Sequence, residues 1–551
     1  MTESFESTIA DLLGTGVHDK RADSSVSYDG ASVLSQEMQG WLPALRSADA
    51  DILPNMDALD ARSRDILRND AYVAGGSTIL KDSIVGSQYV LNCRPATKLL
   101  WGKDDEVWET EFQEEVETKF HLWADSPQHW VDAARRLDFT SMVRLAVGVF
   151  LAGGEVVSSA EWIRETIRPF NTSIQMIDKD RLSTPTDRQF DKNIRNGVEV
   201  NSYGAPQAYY IRHAHPSDWY FSNDPQPALM WKRVPAYKPW GRPLILHIVD
   251  QLRPDQTRGI SAMVTALTEM KMTRAFRKTE LQRAVVSATY AASIESDFPS
   301  AVYESMGTGS GGSDNPYVSW MEDYLEAVYG LAGGAKNLTI EGSRIPIFAP
   351  GTHLKIQNPG ATGPVGSQFE QSLLRHIASA IGVSYEELSK DYSQTSYSSA
   401  RAALSNTSRA MRSKKKLVAD GIANFVYRLW FEEAMNSGSL ETLKRRRVPN
   451  FYEGLNAEAY LGAEWIGAEQ TSIDPLKETQ ADVLALKNGL DTKEAVIARR
   501  KGSDWRNVQR QIKRELEADR ALGLPSVYEQ DSKDMVNSIS GTEREGRDET
   551  Q

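Results

Sequence analysis

The stretch from Arg258 to Asp297 contains no proline and one glycine, which lies close to its start. It is rich in Ala, Met, Leu, Glu, Lys and Arg, the residue types with high helix propensity. This stretch is therefore predicted to be one helix, on the order of 55 Å long if unbroken. A helix of this length must pack on partners, which are other helices of the same chain in a monomer and neighbouring copies in a ring.

Apolar side chains form a stripe along this predicted helix, because many of them recur three or four residues apart. Basic residues are distributed about the stripe. The candidates for packing between subunits are Met263, Leu267, Met270, Leu281 and Val285.

The composition is that of a chain that folds into several packed units. Its 551 residues exceed what one compact core usually holds, and 40% hydrophobic with 25% charged residues argue against wholesale disorder. Cys93 is the only cysteine, which excludes an intrachain disulfide, a CxxC redox pair and a cysteine-rich zinc site. A reducing compartment such as the bacterial cytoplasm fits this cysteine usage.

Charge and hydropathy restrict the partners. The first residues lack a basic start followed by an apolar run, and no stretch approaches about 18 uninterrupted apolar residues, so we expect neither a secretory signal nor a membrane span. The formal net charge of −12 opposes non-specific DNA binding, because a protein that coats DNA carries an excess of Lys and Arg. If DNA is a partner, we do not expect it to bind tightly over the whole protein surface.

Several segments predict helices and one predicts strands, so the expected fold class is α+β, mainly α. From Asp104 to Trp123, apolar residues four apart alternate with a run of glutamates, which is typical of an amphipathic helix with a solvated acidic face. Short alternating segments broken by Pro and Gly make residues from about 170 to 250 strand-rich. Further helices are expected at about 369–383, 400–435 and 474–523.

Motifs that would carry catalysis or bind a cofactor are weak or absent. His213 and His215 would lie on one face of a strand, but no nearby acid or third histidine completes a metal site. Gly307, Gly309 and Gly312 match GxGxxG in a Ser- and Gly-rich stretch, which is typical of a flexible turn rather than of a dinucleotide site. No phosphate-binding GxxxxGK loop, GxSxG elbow or HExxH helix occurs. We therefore expect no enzyme activity, no cofactor and no metal.

Two kinds of segment could touch DNA or pack inside the protein. Basic clusters lie at 412–416 and 444–447, and either could contact phosphate, although a structural role is favoured. The second cluster could also cap a helix C-terminal region or face acidic neighbours in an oligomer. The candidates for phosphate contacts are Lys414, Lys415 and Lys416. An uncharged, hydrogen-bonding and aromatic loop between two predicted helices could touch DNA without clamping it, or pack between subunits. Its residues are Tyr392, Ser393, Gln394, Thr395, Ser396 and Tyr397.

Five segments, in this order, resemble the portal proteins of lambda-like phages. They cover about residues 40–525, and the resemblance is specific because the order and spacing of the segments match together. The segments are RSRDILRNDAYVAGGSTILKDSIVGSQYVL, DQTRGISAMVTALTEMKM, ATYAASIES, FEQSLLRHIASAIGVSYEELSKDYSQTSYSSARA and WIGAEQTSIDPLKETQADVLALKNGL.

The resemblance implies a subunit with a wing, a stem, a clip and a crown around a central channel. The polar composition of residues 1–50 and 526–551 predicts a mobile tail at each end. Between the tails, the resemblance implies the wing at 51–257, the first stem helix at 258–297, the clip at 298–365 and the second stem helix at 366–383. It then implies the tunnel loop at 384–399, the helix returning into the wing with further wing at 400–470, and the crown helices at 471–525.

The resemblance also implies a homo-dodecameric ring at the unique capsid vertex of a virion, assembled in the host cytoplasm. The ring would pass double-stranded DNA during packaging and ejection, with no membrane involved. Implied protein partners are the terminase large subunit, the major capsid protein and scaffold, and the head-completion or connector proteins. Two alternatives stay open, namely another virion structural protein such as a capsid or scaffolding subunit, and a packaging motor or nuclease.

Overall fold

The computed structural model describes residues 41–218, 226–290, 364–469 and 474–524, two short strands between residues 339 and 344, and a few isolated positions. In this part of the chain helices predominate and the strands are short. The observed architecture confirms the predicted class, α+β and mainly α.

Six helices lie in the first part of the chain, and four of them begin at side-chain caps, which satisfy backbone N–H groups that have no partner inside the helix. Asp70 accepts hydrogen bonds from the N–H groups of Tyr72 and Val73, and Asp105 and Asp138 cap two later helices in the same way. The six helices of this part are α1 (Ala48–Ile52), α2 (Met56–Asn69), α3 (Ala71–Ile84), α4 (Thr97–Trp101), α5 (Glu106–Ala124) and α6 (Phe139–Gly153), of which α2 and α4 lack a side-chain cap.

Helix α5 is the amphipathic helix predicted from the spacing of its apolar residues. Trp108, Phe112, Val116 and Phe120 are buried, while the glutamates between them are exposed or half-buried. The prediction of a buried apolar stripe with an acidic outer face is confirmed.

Three antiparallel sheets follow the alternating segments of the sequence. The two-stranded sheet joins β1 (Val90–Cys93) to β11 (Ala463–Ile466). The three-stranded sheet has the order β3 (Thr172–Ile177), β2 (Glu155–Trp162), β8 (Ile245–Val249). The four-stranded sheet runs through β4 (Ile194–Arg195), β5 (Val198–Val200), β6 (Pro206–Arg212) and β7 (Trp231–Pro235), with the short helix α7 (Gln226–Leu229) before its last strand. The strand-rich region is confirmed, although it begins earlier than predicted, at β2.

The long helix is shorter at its start than the sequence predicts. A 3₁₀ turn (Ala262–Ala266) capped by Ser261 leads into α8 (Leu267–Tyr290), and the residues predicted to extend the helix to 297 lie outside the described part. Residues 258–261 are not helical, because Arg258 is fully buried and bonds the carbonyl oxygens of Leu182 and Asn196.

A second helix, α9 (Pro364–Ile381), returns antiparallel to α8. The guanidinium Nε of Arg277 lies 2.6 Å from Glu370 Oε1, and the rings of Phe276 and Phe369 meet edge to face at 5.6 Å. Of the region between them, the structure describes only the paired strands β9 (Thr339–Ile340) and β10 (Ser343–Arg344).

The chain then continues through α10 (Tyr385–Ser389), α11 (Tyr397–Lys414), a π-helical turn (Lys415–Ala419) and α12 (Asp420–Asn436). The sequence predicted one helix over 400–435, and the structure confirms it with a start three residues earlier. The later elements are α13 (Glu441–Lys444), α14 (Asn456–Tyr460), β11, α15 (Pro475–Lys487), α16 (Lys493–Lys501) and α17 (Trp505–Leu522). The last three helices confirm the predicted helical C-terminal region.

Phe120 lies at the centre of an aromatic core that joins distant parts of the chain. The centroid of its ring is 5.3 Å from those of Phe139 and Trp430. The rings of Tyr427, Trp123 and Trp465 complete the shell at 5.6–5.9 Å. Because these residues belong to α5, α6, α12 and β11, one core holds both the first and the last thirds of the described chain.

None of the helices in the described ranges combines the length and the apolar character that crossing a bilayer requires.

Candidate functional site

A buried ionic cluster anchors the chain where it enters the long helix. Glu155 and Arg258 are fully buried and pair at 2.6 Å, and Nε2 of His247 lies 3.2 Å from the other oxygen of the same carboxylate. Nζ of Lys179 donates hydrogen bonds to Asp60 and to the carbonyl oxygen of Gly153. Burial alone would raise the pKa of Glu155, but Arg258 and His247 hold it well below its ordinary value, so the carboxylate stays charged.

The backbone approaches itself closely at the same place. Gly154 ends α6 with a φ of +74°, and a Cβ there would lie 2.0 Å from the carbonyl oxygen of Ile260. The base of α8 is therefore held by both charge and close backbone contact. Sequence reasoning did not identify this cluster, because Glu155 and Arg258 are 103 residues apart and no local pattern connects them.

The apolar stripe of α8 divides into two parts. Met263 and Met270 are fully buried and Leu267 is half-buried, all of them in the core of the same chain. Met263 and Met270 have no surface left for a neighbouring copy, which corrects the prediction that these two residues pack between subunits, whereas Leu267 keeps part of its surface. Leu281 and Val285 lie further along α8 and are 67% and 43% exposed, so the prediction of an intersubunit contact stays with these two residues.

The polar loop is shorter than predicted. Of the segment 384–399, residues 385–389 form α10, which starts with a capping box between Ser384 and Glu387, and Tyr397 is the first residue of α11. The capping box follows the sequence pattern Ser-x-x-Glu, so this short helix could have been found from the sequence. The loop proper is 390–396.

Local hydrogen bonds shape this loop. Asp391 accepts hydrogen bonds from the backbone N–H and the hydroxyl of Ser393, and these bonds lower the pKa of its carboxyl group. Ser396 caps α11. Tyr392 and Tyr397 are each about half exposed. Partial burial is the main cause that raises the pKa of Tyr392, and the negative charges of Glu387 and Glu386 raise it further. From Tyr392 to Tyr397 the segment presents hydroxyl groups and aromatic rings, while Lys390 and Asp391 add one charge of each sign at the start of the loop.

The three lysines proposed for phosphate contacts have different environments. Nζ of Lys414 donates a hydrogen bond to the carbonyl oxygen of Ile381, and burial lowers its pKa. Nζ of Lys415 bonds Asp420 and the carbonyl oxygen of Trp465. Both are used inside the chain, as the structural alternative predicted. The side chain of Lys416 is 81% exposed, and its one acidic contact, with Asp420, is long at 3.9 Å. Of the three lysines, Lys416 alone is therefore available to a phosphate.

The second basic cluster faces the acidic side of α5. Arg445 pairs with Glu111, and Arg446 pairs with Asp105 while stacking near Trp101 and Trp108. The cluster thus faces acidic residues of its own chain, whereas the prediction placed such residues in a neighbouring copy.

The histidine pair does not form a strand face. Strand β6 ends at Arg212, and His215 lies in a turn with Nε2 3.1 Å from Asp180. Asp178 is close to both, so the prediction that no acid lies nearby is wrong for His215. The guanidinium of Arg64 already bonds both aspartates and offsets part of their charge. The GxGxxG match at 307–312 lies outside the described residues.

Comparisons with known proteins agree on a single family. Residues 34–415 match the model of the phage portal protein, lambda family. The portal protein of Escherichia phage N15 is 34% identical over 499 residues, which cover 90% of this chain and 91% of that protein. Portal protein B of Escherichia phage lambda is 33% identical over 522 residues, which cover 94% of each.

A solved chain from the neck of an empty GTA (gene transfer agent) particle is 12% identical, covers 84% of this chain and 94% of its own, and has a TM-score of 0.39. The family match and the two phage relatives span most of the folded chain, and this chain therefore belongs to the lambda family of phage portal proteins.

Proposed function

We propose that copies of this chain form a closed ring, a dodecamer, at one vertex of a phage capsid, and that double-stranded DNA enters and leaves through its channel. The ring is a conduit and a docking plate, with no enzyme activity and no cofactor or metal of its own. The force comes from a terminase whose large subunit docks at the clip, and head-completion or connector proteins replace it after packaging. The major capsid protein and scaffold surround the ring during assembly in the host cytoplasm.

The observation that carries this proposal is membership of the portal family over most of the chain. The antiparallel pair α8 and α9 supports it, because residues 278–285 of α8 are exposed or half-buried in the described part of the chain. A closed ring uses two different faces of each copy, and Leu281 and Val285 offer one such apolar face. The net charge of −12 agrees with a channel in which phosphates slide under an external motor.

Electron microscopy of the purified protein tests the proposal directly. We expect rings with a central hole wide enough for duplex DNA. We also expect each particle to contain about as many copies as one ring holds, all at a single vertex. Hundreds of copies spread over the shell would identify a capsid or scaffolding subunit instead. Robust ATP hydrolysis by the purified protein, abolished by substitution of a single acid, would identify a motor and overturn the proposal.

Aspartate substitutions along α8 are expected to separate folding from assembly. Leu281→Asp leaves an exposed charge on a folded monomer, so ring mass measured by light scattering is expected to fall while the unfolding midpoint stays close to wild type. Met270→Asp buries a charge in the core of the chain and is expected to lower the unfolding midpoint as well. Full-mass rings from the Leu281 variant would contradict the intersubunit contact.

Replacing Tyr392, Gln394, Thr395 and Tyr397 by Gly or Ser is expected to leave rings intact and to change how well packaged DNA is retained. Ser396 is kept, because its side chain caps α11. Retention is measured as the fraction of particles that still hold full-length DNA after packaging. Tyr203→Ser, at a highly exposed position in a different loop, is the control and should behave as wild type. Normal retention in the loop variant would argue against a channel role.

A further inference from the structure

A run of 28 residues, from Tyr392 to Ala419, contains no Asp or Glu, although 75 of the 551 residues of the chain are acidic. The same run contains six basic residues, all of them within α11 and the turn that follows it. Two of the six, Lys414 and Lys415, are bonded inside the chain. The other four are Arg401, Arg409, Arg412 and Lys416.

These four residues lie on one face of α11 and the π-helical turn that follows it. They are spaced by eight, three and four residues, which at about 3.6 residues per turn keeps them within one narrow arc. All four are exposed. They form a row, here called the cation stripe, about 22 Å long at about 1.5 Å per residue.

The cation stripe has almost no counter-charge in the protein. No ion pair or hydrogen bond joins the guanidinium groups of Arg401, Arg409 and Arg412 to any residue that the structure describes, and Lys416 has only a distant contact with Asp420. The contrast is with Arg445, which faces the acids of α5. In an acidic protein, an exposed row of unpaired cations indicates a polyanionic partner.

The surface between the cations favours DNA over another protein. A protein interface usually has aromatic or aliphatic anchors at its centre, and no large exposed apolar side chain separates the cations here. The nearby exposed or half-buried residues include Ser405, Asn406, Ser408 and Ser413. Serine, asparagine, lysine and arginine are among the side chains that bond the phosphates of a duplex.

We propose that the cation stripe binds the phosphate backbone of double-stranded DNA without reading its sequence. The inference rests on the proposed function and deepens it, because it assigns a contact surface on α11 that starts one helical turn after Tyr397. It also modifies the expectation drawn from net charge, since an acidic subunit then carries one local row of phosphate contacts.

A matched pair of variants of the full-length protein tests the proposal. The stripe variant is R401Q/R409Q/R412Q/K416Q, and the control is K444Q/R445Q/R510Q/K513Q, which removes the same number of positive charges. The control side chains are largely exposed, and each has an acidic partner within the chain. The dissociation constant for a short linear duplex of mixed sequence is measured by fluorescence anisotropy over a series of KCl concentrations.

The stripe variant is expected to bind at least about tenfold more weakly at low salt. The slope of its plot of log K against log salt concentration is expected to become less steep by about one for each phosphate that the variant no longer neutralises. The control should keep both the wild-type affinity and the wild-type slope. R401K/R409K/R412K keeps the charges and should restore most of the binding, which separates loss of charge from loss of folding.

Wild-type DNA affinity in the stripe variant would overturn the proposal. Equal weakening of DNA binding in the stripe and control variants would also overturn it, because it would show an effect of net charge alone. Loss of ring mass in the stripe variant with unchanged DNA affinity would assign the row to an acidic surface of a neighbouring copy and would also overturn it. Intact wild-type rings in these experiments would leave the proposed function standing. A wild-type protein that forms no ring would instead contradict the proposed function itself.

Discussion

Replacing Arg258 by methionine is expected to lower the free energy of unfolding by about 3–5 kcal/mol. The guanidinium group is fully buried and bonds both oxygens of Glu155 as well as the carbonyl oxygens of Leu182, Asn196 and Lys179. Methionine is also a long, unbranched side chain but has no donor, so it leaves a buried carboxylate without its main partner and three carbonyl oxygens without this donor. The shift is measured by denaturant unfolding at a fixed protein concentration.

Arg253→Met is the matched control for this prediction. Arg253 lies in the same segment and pairs with Asp51, but its side chain is half exposed, so the substitution should cost less than about 1 kcal/mol. A cost for Arg258→Met as small as that of the control would mean that the buried cluster does not hold the base of α8.

Replacing Phe120 by alanine is expected to lower the free energy of unfolding by about 3–5 kcal/mol, because the cavity lies where five other aromatic rings meet and cannot close easily. Leu122→Ala is the control on the same helix. Leu122 is 68% exposed, and its loss should change stability by about 0.5 kcal/mol or less. Both are followed by the midpoint of chemical unfolding, with near-ultraviolet circular dichroism as a second probe of aromatic packing. Similar small effects at the two positions would contradict a rigid aromatic core.

Local patterns predicted the elements that depend on local physics. Periodicity identified α5, since its apolar residues recur every four positions, and it identified the helices of the C-terminal region. Alternation with Pro and Gly breaks identified the strand-rich segment. In each case the signal comes from residues close together in the sequence, and the physical cause acts over the same distance.

Features that depend on distant partners could not be predicted. The helix prediction began at Arg258 because propensity favours it, whereas the burial of that side chain against Glu155 removes residues 258–261 from the helix. The apolar stripe of α8 could not reveal that Met270 is covered by its own chain and Leu281 is not. In the same way, Asp180 reaches His215 only through the tertiary fold. The cation stripe is intermediate, because the acid-free run is visible in the sequence but the lack of partners is not.

The aromatic core also determines when a newly made subunit can fold. Tyr89 donates a hydrogen bond to Asp420, 331 residues later, and Cys93 contacts Tyr427, 334 residues later. At a synthesis rate of about 5–20 residues per second, the second partner leaves the ribosome on the order of half a minute after the first. Until then the apolar side of α5 lacks the helix against which it packs. The apolar side of α5 therefore stays uncovered in the growing chain until translation is nearly complete.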